Sequence, residues 1–120
     1  MMAITIYHNP RCSKSRETLA ILEESGKDFK VVEYLKDPLN KNELVNIFKL
    51  LKGEEKSLIR SKEPLFNELG LSLTDDKKWE DWAQILEKHP ILMERPLVVA
   101  GKKAVIGRPP EKVSSVISGL

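Results

Sequence analysis

The sequence predicts an α/β fold in the order β-α-β, then a run of helices, then β-β-α. Two observations carry this prediction. Strand-prone runs rich in Val, Ile and aromatic side chains lie towards both ends of the chain, at residues 4–7, 29–34 and 97–106. Between them, residues 44–51 and 79–86 repeat apolar side chains at helical spacing.

The first strand is predicted at residues 4–7, and it ends in a tight loop. Pro10 lacks a backbone donor and restricts the residue before it, so the strand cannot continue through it. A helix is then predicted to begin near Cys12, because residues 12–22 place Cys, Ser and two Leu at helical spacing. Gly26 is the expected C-terminal cap.

The second strand is predicted at residues 29–34, which completes a β-α-β unit. Asn40 stands three positions before Glu43, which is typical of a capping box. The helix that this box opens carries its apolar residues at 44–51 and is expected to stop near Gly53.

Two further helical stretches are predicted in the middle of the chain. One spans Lys56 to Ser61 and leads to a break at Pro64. The other carries four side chains at the spacing of one helix face: Trp79, Trp82, Ala83 and Leu86. Because both Trp residues lie on that face, we expect them to pack in the core rather than to stack on bases.

The last part of the chain predicts a hairpin and a helix. Residues 97–100 and 103–106 are strand-prone and are separated by Gly101-Lys102, a two-residue turn containing glycine. Pro109 and Pro110 then open a final amphipathic segment, since proline suits a first helical turn.

Composition and organisation predict one cytoplasmic domain. No repeat, low-complexity tract or linker interrupts residues 1–120, so we expect a single domain with a helical insertion at about residues 40–90. Twenty basic and eighteen acidic side chains leave a net charge of +2, too even for a dedicated nucleic-acid or membrane partner. There is no secretory signal pattern, and no run approaches the ~18 apolar residues of a membrane span.

Cys12 is the candidate nucleophile. A lone cysteine cannot form an internal disulfide, so its interest rests on reactivity. At the first turn of a helix, a thiol faces unpaired backbone N–H groups and the positive end of the helix dipole, and both favour the thiolate. Four possible cations flank it in sequence and are expected to lower its pKa further: His8, Arg11, Lys14 and Arg16. With two histidines and one cysteine in the chain, a metal site is not expected.

Three arginines lie at the ends of predicted elements, where sites form. Arg60 stands just before Pro64, Arg95 precedes Pro96 and the third strand, and Arg108 follows the fourth strand. A guanidinium stays charged and donates paired hydrogen bonds, which suits an oxyanion. Spacing alone cannot bring the three arginines together.

The stretch Tyr7-His8-Asn9-Pro10-Arg11-Cys12-Ser13-Lys14-Ser15-Arg16 resembles the active-site stretch of glutathione/glutaredoxin-coupled arsenate reductases. Glu94-Arg95-Pro96-Leu97-Val98-Val99 and Ile106-Gly107-Arg108-Pro109 resemble that family's later motifs in the same order. The resemblance spans essentially the whole chain.

The resemblance implies a thioredoxin-like fold with a helical insertion between the second and third strands. It implies that the Cys12 thiolate attacks arsenate, that Arg60, Arg95 and Arg108 hold the oxyanion, and that arsenite is released. Pro96 would be the cis-proline beside the site, and Ser15 would occupy the place of the second cysteine of a Cys-x-x-Cys pair. The residues expected to support the thiol are His8, Asn9, Ser15, Arg16 and Pro96.

By the same resemblance, glutathione is the co-substrate, glutaredoxin is the protein partner, no cofactor is bound, and the chain is a monomer. Arsenate reductases of this type usually carry Gly-Thr after the cysteine, whereas this chain has Ser13-Lys14 and looks closer to a sister subgroup. This departure bears on which oxyanion is the natural substrate.

Three alternatives are weighed against that activity. Regulators of the Spx type share the fold and bind RNA polymerase, but they typically sense oxidants through a Cys-x-x-Cys pair, which Ser15 breaks. A monothiol oxidoreductase acting on disulfides would use the same activated thiolate. A tyrosine-phosphatase-like arsenate reductase needs an arginine six positions after the cysteine, where this chain has Thr18, and further cysteines for a disulfide cascade.

Overall fold

The computed structural model describes residues 3–117. The described chain divides into two units, one formed by residues 3–37 with 95–117 and the other by residues 38–94. The first two and last three residues of the predicted domain lie outside the described part, and the assignment of a single domain stays a prediction.

In the first unit, the described residues form one four-stranded sheet in the order β2-β1-β3-β4. Its strands are β1 (Ile4–His8), β2 (Lys30–Glu33), β3 (Leu97–Ala100) and β4 (Lys103–Ile106). Strands β1 and β2 are parallel, whereas β3 runs antiparallel to both β1 and β4. This is the thioredoxin-like arrangement implied by the sequence motifs.

The parallel pair of strands needs a crossover connection, which helix α1 (Ser13–Glu24) supplies. The described part of this unit ends with a 3-10 turn (Pro110–Val113) and a short helix α5 (Ser114–Ile117). Buried aliphatic side chains from the strands and helices make a common core, formed by Ile4, Ile6, Leu22, Val98, Ala100, Val113, Val116 and Ile117. The alternating burial along β1 places Ile4, Ile6 and His8 on its buried face.

The second unit is helical. It contains α2 (Lys41–Leu50), α3 (Pro64–Glu68) and α4 (Trp79–Lys88), with 3-10 turns at Glu55–Leu58 and Pro90–Leu92. Helix α2 begins with the predicted capping box, in which the Asn40 side chain accepts from the Glu43 N–H at 2.9 Å and the Glu43 carboxylate accepts from the Asn40 N–H at 3.1 Å.

Both tryptophans pack against aromatic rings of this unit; Trp82 is buried, as predicted, whereas Trp79 is half-buried. Trp79 stacks on Phe48 with ring centroids 5.0 Å apart, and Trp82 stacks on Phe66 at 6.2 Å. Such pairs stabilise by about 0.5–1.5 kcal/mol beyond area burial. They join α4 to α2 and α3.

The structure corrects the middle of the sequence prediction. The stretch Lys56–Ser61 is not a helix beyond the 3-10 turn Glu55–Leu58, because Ile59 pairs in a β-bridge with Met93. Pro64 does not end a helix but opens α3, where a missing N–H costs nothing. Within residues 3–117, no helix has both the length and the apolar character needed to cross a bilayer.

Candidate active site

Cys12 lies at the joint between a tight loop and helix α1. It is the N-cap residue of α1, with an extended backbone (φ −96°, ψ 124°) and a half-buried side chain. Its N–H donates to the Asn9 carbonyl at 3.0 Å, and its carbonyl accepts from the Arg16 N–H at 3.0 Å. The residue therefore closes the loop and starts the first hydrogen-bonded turn of the helix.

The pKa of the Cys12 thiol is lowered by its surroundings. Partial burial is the largest influence and by itself raises the pKa, because it disfavours the charged form. The backbone N–H of Ser15, the charge of Arg95, the N–H of Lys14 and the Arg108 side chain all lower it, and together they prevail. The thiolate is the nucleophilic form, so this position is built for reactivity.

The register of the sheet explains why Arg95 and Arg108 act on the thiol. Leu97 of β3 is paired with Tyr7 of β1 on one side and with Ile106 of β4 on the other. Arg95 and Arg108 each lie two positions beyond these paired residues, and the loop after β1 leaves from the same end of the sheet. Three segments that are distant in sequence therefore meet beside Cys12.

Arg108 makes the direct contact. Its Nη1 lies 3.9 Å from Cys12 Sγ and donates to the Arg95 carbonyl at 3.2 Å. The Arg95-Pro96 and Arg108-Pro109 peptide bonds are both cis, the first as the sequence motif implies. Two of the three predicted arginines thus accompany the thiol in the first unit.

Arg60 belongs to the second unit. There its guanidinium pairs with the Glu63 carboxylate at 3.2 Å, and its N–H donates to the Leu92 carbonyl at 2.7 Å. A part for Arg60 in oxyanion binding stays a prediction.

His8 and Ser15 form a buried pair beneath the loop. His8 Nδ1 lies 2.6 Å from Ser15 Oγ, and that oxygen also accepts from the Asn9 N–H at 3.0 Å. Burial lowers the pKa of His8, with a further lowering from Arg16 and an opposing effect of Glu33. His8 is therefore a neutral ring at neutral pH, and Ser15 ties the loop to both β1 and α1.

A model of the ArsC family matches residues 7–116 of the chain, which include the whole of this loop and both arginine segments. The chain belongs to the ArsC family. An arsenate reductase of Neisseria meningitidis serogroup B is 43% identical over 120 residues, covering 98% of this chain and 100% of that protein. Uncharacterized protein YfgD of Escherichia coli is 46% identical over 115 residues, covering 95% of this chain and 96% of that one. The solved structure of an arsenate reductase from Vibrio cholerae superposes with a TM-score of 0.87 at 41% identity, covering 97% of this chain and 98% of that one.

In this ArsC-family chain, the neighbouring cations do not act on the thiol as the sequence predicted. Lys14 pairs with Glu17 at 3.6 Å, Arg16 Nη1 donates to the Pro10 carbonyl at 3.0 Å, and His8 is neutral. The side-chain charge of Arg11 is likewise absent from the influences on the Cys12 pKa. The prediction of a lowered pKa is confirmed, and so is its attribution to the helix start, because two backbone N–H groups of α1 contribute. The side-chain charges among the main influences are those of two distant arginines and not of these four residues.

The remaining supporting residues hold the loop. The Asn9 side chain accepts from the Arg11 N–H at 3.0 Å, and the Arg16 contact with the Pro10 carbonyl spans the same loop. These bonds hold the segment that leads into Cys12. Among residues 3–117, no group of three or more His, Cys, Asp or Glu side chains could hold a metal ion.

Sequence analysis missed two residues at this site, Thr18 and Gly107. Thr18 is fully buried on α1, and Gly107 precedes Arg108 and donates its N–H to the Pro96 carbonyl at 2.9 Å. Gly107 stood inside a recognised motif, but only its neighbour Arg108 was given a role. A glycine beside a functional arginine was the available signal, because it marks a possible close approach of the backbone.

We predict that Arg108→Gln raises the pKa of Cys12, because the change removes a positive charge within hydrogen-bonding distance of the sulfur. The rate of iodoacetamide alkylation against pH measures it. The matched control is Arg11→Gln, which removes an equal charge from a side chain that is not among the main influences on the Cys12 pKa. If the Arg11 change shifts the midpoint as much as the Arg108 change, the assignment of charge to the distant arginine is wrong.

We predict that His8 makes stability fall at acid pH. The folded-state pKa lies below 6.5, so the unfolded chain binds this proton first. The stabilisation is complete above the unfolded pKa and is lost as pH falls through the folded value. Urea unfolding at about pH 7.5 and pH 5.5 should therefore show a larger loss for the natural chain than for His8→Asn, whose amide oxygen can accept from Ser15. Equal losses would contradict a neutral, buried His8.

Proposed function

We propose that the chain is an arsenate reductase in which the Cys12 thiolate attacks arsenate and glutathione with glutaredoxin supplies the electrons. The observation that supports this most strongly is a lowered thiol pKa beside a guanidinium whose Nη1 lies 3.9 Å from the sulfur. A nucleophile and an oxyanion ligand are thus adjacent. The names of the relatives from Neisseria and Vibrio support arsenate as the substrate.

The first step is nucleophilic. The Cys12 sulfur forms a bond to As(V), and one arsenate oxygen leaves as water after protonation. The guanidinium groups of Arg95 and Arg108 stabilise the negative charge on the remaining oxygens. They do so best in the planar, paired geometry that arginine alone provides.

The second stage needs electrons from outside the chain. Cys12 is the single cysteine, so no internal thiol can attack the adduct. Two glutathione thiols supply the two electrons that reduce As(V) to As(III). Dihydrogen arsenate, two glutathione molecules and a proton thereby give arsenous acid, oxidised glutathione and water, with glutaredoxin carrying the glutathione sulfur.

Arg60 is included in the proposal on the sequence resemblance. In the second unit its guanidinium is engaged by Glu63 at 3.2 Å. To hold an arsenate oxygen, Arg60 would share or exchange that carboxylate partner. Its contribution is therefore tested separately from those of Arg95 and Arg108.

Turnover is the direct test of the proposed function. We expect arsenate to be reduced to arsenite by the purified chain with glutathione and glutaredoxin, and Cys12→Ser to be inactive because it lacks the nucleophile. After treatment with oxidised glutathione, mass spectrometry should find one glutathione per chain on Cys12, which glutaredoxin removes.

Two results would overturn this scheme. Sustained turnover with thioredoxin alone would show that no external monothiol is needed. Rapid reduction of disulfides with no reduction of arsenate would instead identify the chain as a monothiol oxidoreductase.

We predict that Arg95→Lys and Arg108→Lys each lower kcat/KM for arsenate by at least about tenfold, since lysine keeps the charge but loses the paired donors. The alkylation rate of Cys12 in the same variants is the internal control. Because the charge is retained, it should fall much less than arsenate turnover. A proportional fall in both measurements would show that these arginines act only on the thiol. Arg60→Lys, measured alongside, decides whether the third arginine belongs to the site.

A further inference from the structure

Helix α1 is approached closely by the two segments that carry the arginines. A Cβ atom added to Gly107 would lie 2.6 Å from Thr18 Oγ1, 3.3 Å from Thr18 Cγ2 and 2.9 Å from Pro96 Cγ. The two shortest distances are below any normal carbon contact. At this position, only hydrogen fits between the helix and the cis-proline.

The glycine is required by space and not by backbone conformation. The described glycines with a positive φ are Gly26, Gly53, Gly70 and Gly101, and Gly107 is not among them. Alanine could therefore adopt the backbone angles of Gly107, and its cost there is steric.

Thr18 supplies a second, independent observation. It is completely buried, and its hydroxyl has no hydrogen-bond partner among the described residues. An unpartnered buried hydroxyl destabilises a fold. Thr18 is thus not explained by a hydrogen bond, and its contact with Gly107 gives it a role through shape.

The residues of this contact stand close in sequence to the thiol or to one of the two arginines. Thr18 is six residues after Cys12, about 1.7 helical turns. Pro96 directly follows Arg95, and Gly107 directly precedes Arg108. The Gly107 N–H to Pro96 carbonyl bond and the Arg108 Nη1 to Arg95 carbonyl bond link the two arginine segments to each other. Because the two arginine segments are linked, their packing against Thr18 fixes the position of both guanidiniums relative to the sulfur.

We propose that Thr18, Pro96 and Gly107 form a spacer contact in which Gly107 and Thr18 are positioning residues, holding the arginine segments against α1 so that both guanidiniums reach Cys12. The 3.9 Å distance from Arg108 Nη1 to Sγ is already long for a hydrogen bond. A shift of a few tenths of an ångström at the spacer contact would therefore break it. The arsenate part of this proposal rests on the proposed function, whereas the thiol part does not.

Gly107→Ala is the first test. The added methyl should separate the arginine segments from α1, raising the pKa of Cys12 and raising KM for arsenate by about tenfold through loss of two charge-assisted ligands. Thr18→Ala in the same chain removes both Thr18 atoms that clash with that methyl. Pro96 Cγ still lies 2.9 Å from the methyl, so the double variant should recover part of the pKa lowering and part of the arsenate KM.

The matched control is Gly26→Ala. Gly26 has a φ of +73° and no atom within 4 Å of an added Cβ, so alanine there is strained but meets no neighbour. It lies beyond the C-terminal end of α1, a 12-residue helix about 18 Å long that begins directly after Cys12. Its melting temperature should fall, while the Cys12 pKa stays that of the natural chain.

Thr18→Ile keeps the proposal testable if Gly107→Ala does not fold, since it adds bulk from the helix side of the contact. It should raise the Cys12 pKa in the same direction, whereas Thr18→Val, which keeps the shape, should not. The spacer contact is wrong if Gly107→Ala folds with an unchanged Cys12 pKa, or if adding Thr18→Ala recovers no part of the lost pKa lowering. If the pKa behaves as expected but no variant, nor the natural chain, reduces arsenate, the proposed function fails and the spacer contact stands.

Discussion

The pairing of Leu97 with both Tyr7 and Ile106 is the constraint on which the candidate site depends. A strand alternates its side chains with a period of two, so a slip of one residue in either ladder would turn Val98 and Ala100 away from the core that they share with Ile4 and Ile6. The same slip would displace Arg95 from the loop after β1 or Arg108 from Arg95. Burial of aliphatic side chains in the sheet and placement of the guanidiniums are therefore determined by one register.

The thiol illustrates how opposing effects are balanced at such a site. Burial raises the Cys12 pKa and is the largest single influence, yet the net pKa is lowered. The effect of burial is opposed by two backbone N–H groups from the start of α1 and by two guanidiniums, all of which stabilise the thiolate. Partial burial excludes water and so strengthens those interactions, which links the exposure of the sulfur to its activation.

Much of the fold could be predicted because its signals are local. The hairpin was predicted residue for residue, because a glycine stands between two short aliphatic runs. In the structure Gly101 has a φ of +63° in the turn. The capping box at Asn40 and the start of α1 at Cys12 are also encoded within a few residues. Helix α3 was missed because Pro64 is compatible with both a helix end and a helix start, and the competing β-bridge from Ile59 to Met93 links residues far apart in sequence.

The site was less predictable, because it depends on which residues meet rather than on which residues are present. Proximity in sequence favoured Lys14 and Arg16 as the cations beside Cys12, but Lys14 pairs with Glu17 and Arg16 reaches back to the Pro10 carbonyl. Their places at the ends of predicted elements singled out Arg95 and Arg108, but only the family resemblance placed them together beside Cys12, which spacing could not do. Neither route found the Thr18 contact with Gly107, because a single sequence does not show that a position admits only glycine.

Ser15 shows how replacing one residue can reorganise a redox site. It stands where a Cys-x-x-Cys pair would carry its second sulfur, and it is fully buried. Its hydroxyl oxygen is within hydrogen-bonding distance of His8 Nδ1 and accepts from the Asn9 N–H, so it joins the last residue of β1, the loop and α1. A cysteine at this position would make longer and weaker hydrogen bonds than the Ser15 hydroxyl, and would hold the loop less firmly. The position that could have resolved an adduct internally serves instead to fix the loop before Cys12, which is consistent with a chemistry that takes its second thiol from outside the chain.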